Sequence, residues 1–380
     1  MLFGQKIKLL FLPWLTVIFL LPNYCAAQTT DAMETDEQMF RAMVIEVLDE
    51  QFEQRENGSQ SVRQKLKLEG LEGDWLGQEI IHDGLNLDVL SATRYKPGDK
   101  VIVLANVDAA GQKSYYVIEF IRSGALFWLA LLFALAVIAI GRLKGLRAIV
   151  VLGITFVVIL RFIIPLILSG HNPLLIGIIG SALILLAAIY VTEGFNRSSH
   201  VAIVSILISL LATGLLATWF VDWTQLTGFE SEDVMYLVSS AHGAINVKGL
   251  LLAGIIIGAL GVLDDVVISQ IALVEQLKST EAKLSRQEIY RKAMKVGVSH
   301  LSSMVNTLFL AYAGASLPLL LLFGVNDLAP LGFSQVVSNE MLATEIVRSL
   351  VGSLGLVIAV PISTLLAVRF AAGGTIERSQ

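Results

Sequence analysis

After residue 124 the chain falls into apolar blocks, each close to the ~20 residues that a helix needs to cross a bilayer. They lie at about 124–141, 147–168, 173–192, 200–220, 249–273, 299–323 and 345–369, and they predict seven transmembrane helices. Ahead of them, residues 28–122 are polar and mixed. Short runs of strand-forming residues recur there (Met43–Leu48, Lys65–Leu68, Glu79–Ile81, Val101–Val107, Tyr115–Ile121), separated by turn signals such as Asn57-Gly58 and Lys96-Pro97-Gly98-Asp99. So many short strands in so short a stretch predict a small β-barrel or OB-like domain. Its lone His82 reads as a solvated surface residue.

Residues 1–27 carry a basic start (Lys6, Lys8), an apolar run (Leu9 to Leu21) and small residues at Cys25-Ala26-Ala27. That pattern predicts a signal peptide removed before Gln28, with an uncleaved signal anchor as the alternative. Charge then orients the helices. The loops 142–147, 193–199 and 274–298 and the tail hold Arg142, Lys144, Arg147, Arg197, Lys278, Lys283, Arg286, Arg291, Lys292, Lys295 and Arg378, whereas the opposite loops after residue 168 hold only Lys248, at a margin. By the positive-inside rule the 28–122 domain is exported and the tail 371–380 is cytoplasmic. Within the basic loop, Ser285-Arg-Gln-Glu288 is a capping box, and Ile289, Ala293 and Val296 recur at helical spacing. An amphipathic helix over about 276–297, lying along the inner membrane face, is expected. The outer loop 221–247 carries Asp222, Glu230, Glu232 and Asp233 and reads as a solvated acidic cap, with metal binding as the alternative.

Composition agrees with this division. Of 380 residues 55% are hydrophobic and 16% charged, against roughly 25% charged in an average soluble domain. The net charge of −5 is mild, and no basic patch with interleaved aromatics appears, so nucleic acid is not an expected partner. The single cysteine, Cys25, falls in the segment expected to be removed, which leaves no disulfide or cysteine-ligated metal. No nucleophile–base pair, zinc signature or glycine-rich phosphate cradle is present, so neither an enzyme nor a cofactor is expected.

Function then rests on polar groups inside apolar spans, where an ionisable side chain costs at least ~2.5–3.5 kcal/mol and so faces the bundle or a wet cavity. The fifth span places Asp264 and Asp265 near its middle, with Gly254, Gly258, Gly261 and Asp265 on one stripe. Gly254-x-x-x-Gly258 lets a neighbouring backbone approach, so the stripe is expected to carry Asp265 into a helix–helix interface. Two adjacent carboxylates in low dielectric do not both stay ionised, which suits them to holding and releasing protons. A permanent structural pair with a basic residue is the alternative. His300, Ser303, Asn306 and Thr307 on the sixth span are candidate neighbours, although His300 also fits an interfacial position. Arg161 on the second span either snorkels outward or is a counter-ion for Asp265. Arg348 on the seventh lies one turn from Glu345, which fits a local ion pair as well as a functional role.

Two resemblances follow from these residues. Gly249-Leu-Leu-Leu-Ala-Gly-Ile-Ile-Ile-Gly-Ala-Leu-Gly261 with Asp265, and Asn306-Thr-Leu-Phe-Leu-Ala-Tyr-Ala-Gly-Ala-Ser-Leu-Pro318, resemble the YibE/F-like family of bacterial membrane proteins over roughly 125–370. That resemblance implies topology and the bacterial plasma membrane rather than an activity. More distantly, Gly261-Val-Leu-Asp264-Asp265-Val-Val-Ile is similar to the membrane core of the RND superfamily and SecD/SecF, and Gly352-Ser-Leu-Gly-Leu-Val-Ile-Ala-Val-Pro361 to the last helix of SecF. It implies that Asp264 and Asp265 carry protons with Ser303, Asn306 and Thr307 as polar neighbours. The pattern departs from RND proteins in having its exported domain before all seven helices, so substrate-binding features do not carry over.

The expected fold is a polytopic all-α membrane bundle over 124–370 with a small exported β-domain. The expected function is a proton-coupled secondary transporter or export factor. The alternative is a non-transporting envelope scaffold that acts through its exported domain. Partners on either reading are the lipid bilayer, protons or another ion, other subunits in a homo- or hetero-oligomer, and an envelope protein.

Overall fold

The computed structural model describes residues 38–54, 60–85, 94–107, 113–240, 245–281, 283–324 and 333–370. The expected signal peptide, Cys25 and the tail after 370 lie outside them. The described chain divides into two compact units that part between Ala136 and Val137.

The first unit holds β1 (Gln38–Gln54), β2 (Gln60–Gly70), β3 (Glu79–Asp83), β4 (Lys100–Val107) and β5 (Lys113–Phe120). They form one antiparallel sheet in the order β3-β2-β1-β4-β5. Alternate residues face the core, namely Phe40, Ala42 and Val44 on β1, Leu66 and Leu68 on β2, and Val101, Val103 and Ala105 on β4. Phe40 stacks on Trp75 at 4.4 Å between ring centroids and meets Tyr115 edge-on. Register shifts in β1 after Val44 and Val47, and between Ile102 and Val103 in β4, add twist and curl the sheet. Its two edge strands meet where the His82 ring nitrogen Nδ1 donates to the Tyr115 carbonyl at 2.7 Å.

His82 therefore corrects the expectation of a solvated residue, being only 6% exposed. Parity decides this, since β3 turns Ile80 and His82 inward together. Burial pushes the imidazole below its ordinary value of 6.5, outweighing the Tyr115 carbonyl and Asp83, which push it up. A group depressed in the folded state and ordinary in the unfolded one favours unfolding when it takes a proton. Its contribution to stability is complete above pH 6.5 and is lost as pH falls below that value, by at most about 1.4 kcal/mol per pH unit. Hydrogen exchange on peptides covering β3 and β5, corrected for intrinsic rates, is expected to lose protection as pH falls from 7 to about 5. His82→Leu is expected to remove that dependence, and a dependence that persists would place the titrating group elsewhere.

The second unit is helical. It and its approach comprise α1 (Ser123–Val158), a π-turn (Ile159–Ile163), α2 (Ile164–Leu168), α3 (Pro173–Thr192), α4 (Arg197–Trp223), α5 (Glu232–Ser240), α6 (Val247–Thr280), α7 (Arg286–Ala315), α8 (Leu317–Gly324), α9 (Phe333–Val337) and α10 (Glu340–Phe370). Among the described residues, five helical stretches are long and apolar enough to cross a membrane: Ser123–Leu168, α3, α4, α6 and α10. The first is 46 residues long and breaks at Arg142 (φ 48°, ψ −127°). A Cβ on Gly145 would strike the Val137 carbonyl, so the chain turns back on itself here and needs glycine to do so. The predicted blocks 124–141 and 147–168 fall on either side of that break.

Two expectations change. The sixth block, 299–323, is shared between α7 and the short α8, parting at Ser316 before Pro318, and neither is among the five apolar stretches. Its polar residues around 302–307 and the polar start of α7 dilute its hydropathy. The stretch 276–297 is not one amphipathic helix either. Residues 276–280 finish α6, and the capping box then starts α7, with the Ser285 hydroxyl accepting from the Glu288 N–H and the Glu288 carboxylate accepting from the Ser285 N–H.

The bundle is organised around α6, which packs on α3, α4, α7 and α10. Its Ile256, Ala259, Leu260, Leu263, Val266, Val267 and Ile271 are buried in the main core. Close approach relies on glycines of neighbouring helices, Gly177 of α3 against Ala253 and Gly355 of α10 against the buried Thr213 of α4.

Candidate functional site

Asp264 and Asp265 stand halfway along α6 and turn different ways. Asp264 is half-buried, and its carboxylate accepts the Asp265 N–H at 2.9 Å. Asp265 is exposed. Asp264, not Asp265, is therefore the acid drawn towards the bundle, because its side of α6 adjoins the buried Leu260, Leu263 and Val267. Among the described residues neither carboxylate has a salt bridge. On the next helix, α7, His300 is half-buried.

The glycine stripe is placed differently from expectation. A Cβ on Gly254 or Gly261 would meet nothing within 4 Å, so within one chain the stripe is an open groove rather than a packed interface. Gly258 alone has a close neighbour, since a Cβ there would lie 2.8 Å from the Tyr312 hydroxyl of α7. Ser303, Asn306 and Thr307 also lie uncovered on α7, and the Thr307 hydroxyl is turned back to the Ser303 carbonyl at 3.0 Å. Helix α7 thus shows a polar face that no other part of the described chain covers. Arg161 sits uncovered on the π-turn, whose neighbours pack against α3. Pro165 follows it by one helical turn, where its ring disturbs the helical hydrogen bonding.

One polar node was missed by sequence reasoning and a second was seen only in part. On the side of the basic loop, Gln270 is 3% exposed and its side-chain amide donates to the Ala293 carbonyl of α7 and the Thr364 hydroxyl of α10. Gly297 makes room for the same amide. This knot fixes the three helices to one another, and a glutamine inside an apolar span was its available signal. At the opposite end, Arg348 does pair with Glu345, at 2.5 Å, but it also holds Glu230, at 3.1 Å to both carboxylate oxygens. All three side chains are more than three-quarters buried. The loop that brings Glu230 in is moored by Glu340, whose carboxylate accepts from the Thr227 N–H, the Thr227 hydroxyl and the Gly228 N–H. The loop read as a solvated cap is therefore partly docked, with Asp222 paired to Lys248 at 2.6 Å. Among the described residues no cluster of potential metal ligands is found.

A family model described as YibE/F-like protein matches residues 129–373. No curated protein and no solved structure matches the chain.

Proposed function

The chain belongs to the YibE/F-like family, and from that premise we propose that it is a proton-coupled membrane protein, a secondary transporter or export factor, whose working acids are Asp264 and Asp265. The observation that carries this reading is the carboxylate pair halfway along an apolar helix, with no salt bridge among the described residues and with His300 half-buried on the next helix. A structural acid would be locked to an arginine or lysine, as Glu230 and Glu345 are to Arg348. An acid that must gain and lose protons is better left without a permanent counter-charge.

The same reading takes the chain through the plasma membrane seven times. The two halves of Ser123–Leu168 count separately, and α7 with α8 forms the sixth crossing. The β-domain is exported and the C-terminus is cytoplasmic, in keeping with the basic loops. The uncovered polar face of α7 and the open glycine groove of α6 favour an oligomer, in which other subunits cover them.

The test needs no substrate. Membranes are treated with a hydrophobic carbodiimide, which attacks protonated carboxyls in apolar surroundings, between pH 5 and 9, and the adduct is located by mass spectrometry. Labelling at Asp264 or Asp265 that fades as pH rises supports a working acid. No labelling at any pH, with Asp265→Asn harmless to the protein's role in the cell, would leave the scaffold reading.

A further inference from the structure

The faces that the helices turn away from the bundle differ in kind. On α4 and α10 they carry large apolar residues, among them Leu211, Leu215, Leu350 and Leu354, all exposed. Lipid tails, as apolar as leucine itself, cover such faces well. On α6 the exposed positions from 254 to 276 are Gly254, Gly261, Asp265, Ser269, Ala272 and Gln276. They recur three, four or seven residues apart and so form one stripe, and none is a large apolar residue. The polar stretch of α7 is alike, with Ser299, Ser302, Ser303, Asn306 and Thr307 all exposed.

The two surfaces adjoin and lie at one depth. Helices α6 and α7 run side by side between two contacts, the Gln270 amide on the Ala293 carbonyl and the Tyr312 hydroxyl against Gly258. Between those contacts α6 exposes Gly261, Asp265 and Ser269, while α7 exposes Ser299, Ser302, Ser303 and Asn306. A carboxylate and an amide at mid-span do not face lipid tails, so protein covers them. Copies of one chain share their orientation in the bilayer, and a two-fold axis along the membrane normal sets each level against itself. Here that brings an acceptor, Asp265, to the level of donors, the α7 hydroxyls and the Asn306 amide, so the surface complements itself. Its size also fits. From Gly254 to Gln276 is about 33 Å of helix rise, and with two helices about 20 Å across a pair of copies would bury roughly 1,300 Å², within the range of stable interfaces.

We propose that two copies of this chain pair through the α6 stripe and the α7 polar face, and that the amide of Asn306 of the partner subunit donates to the Asp265 carboxylate. The proposal deepens the reading of an oligomer, and it rests on the reading that α6 and α7 cross the membrane. Gly254 and Gly261 let the partner's α7 approach α6 closely. One chain then holds half of the acid site, and the second copy completes it. An amide fits that place because it donates to a carboxylate and accepts from a carboxylic acid, and so covers Asp265 without fixing its charge.

The test uses the full chain in native membranes. Cys25 is its single cysteine, so Cys25→Ser gives a background without thiols. Two differently tagged copies are co-expressed, one with Ser269→Cys and the other with Ser303→Cys, and are oxidised with copper phenanthroline. A product of twice the chain's mass that carries both tags is expected. Leu215→Cys with Leu350→Cys, on the outward leucines of α4 and α10, is expected to give at least tenfold less. Gly261→Leu in both copies is expected to cut the Ser269–Ser303 product at least tenfold. A Cβ at Gly261 meets nothing in its own chain, which separates that loss from misfolding. Asn306→Leu is expected to cut the product at least threefold, and an unchanged yield there would overturn the assigned donor. An unchanged yield with Gly261→Leu, or a product that joins one tag to a different protein, would overturn the second copy as the occupant. No product, with Ser303→Cys shielded from a membrane-impermeant maleimide, would overturn the pairing alone. Ready reaction of Ser303→Cys with that maleimide would overturn the reading that α7 crosses the membrane, and this proposal with it.

Discussion

Arg348→Met is expected to lower the stability of the detergent-solubilised protein by roughly 2–4 kcal/mol. The change leaves Glu230 and Glu345 facing each other, mostly covered and without their shared counter-charge. Removing one partner of a buried pair costs more than the pair contributes, because the stranded charge keeps its desolvation penalty. Thermal unfolding followed by intrinsic fluorescence would measure the loss. Glu230→Gln alone is expected to cost less, since Arg348 keeps Glu345. Combining Glu230→Gln, Glu345→Gln and Arg348→Met is expected to recover much of the loss by removing all three charges together. A melting temperature of Arg348→Met equal to wild type would mean that water reaches the cluster freely, where ion pairs contribute little. The Glu340 mooring of the Thr227–Gly228 turn is independent of Arg348, so the loop is expected to stay in place in every one of these variants.

What the sequence made legible follows from the length scale of each signal. Apolar blocks and strand runs are local, and they marked the existence of β1–β5 and of the spans in α3, α4, α6 and α10, although β1, β2, α6 and α10 each run at least five residues past the predicted stretch at one end or both. The capping box at Ser285 and Glu288 is a four-residue pattern with its own mechanism, and both of its bonds are present. The glycine stripe on α6 was legible as a stripe but not as to what it faces. Helical periodicity gives a face without saying which neighbour covers it, and the covering groups lie elsewhere in the chain. The partner of Arg348 across the loop is 118 residues away, a distance at which no spacing rule acts. His82 was misread because a single histidine in a polar stretch looks solvated until strand parity is known. Tyr312 escaped notice because an aromatic in an apolar span is ordinary, and only the gap at Gly258 gives its hydroxyl a place to go.

The carboxylate pair should respond in the opposite sense to Arg348. Asp264→Asn is expected to raise the stability of the solubilised protein by up to about 2 kcal/mol, and Asp265→Asn by less, while carbodiimide labelling at the replaced position disappears. The argument is one of partners. Asp264 is half-buried, and its carboxylate accepts the Asp265 N–H, a bond that an asparagine there can still make through its carbonyl. The substitution therefore removes a carboxylate from apolar surroundings without stranding a counter-charge, whereas Arg348→Met strands two. Asp265 is less covered, so its replacement relieves less. Stability that rises while proton-dependent labelling is lost is the signature of a group kept for work at a cost to the fold. The measurement is the same fluorescence-monitored melt, run on both variants beside wild type. A melting temperature that falls for Asp264→Asn would show that this carboxylate holds the helices together, and the proton-coupled reading would then have to rest on Asp265 and His300 alone.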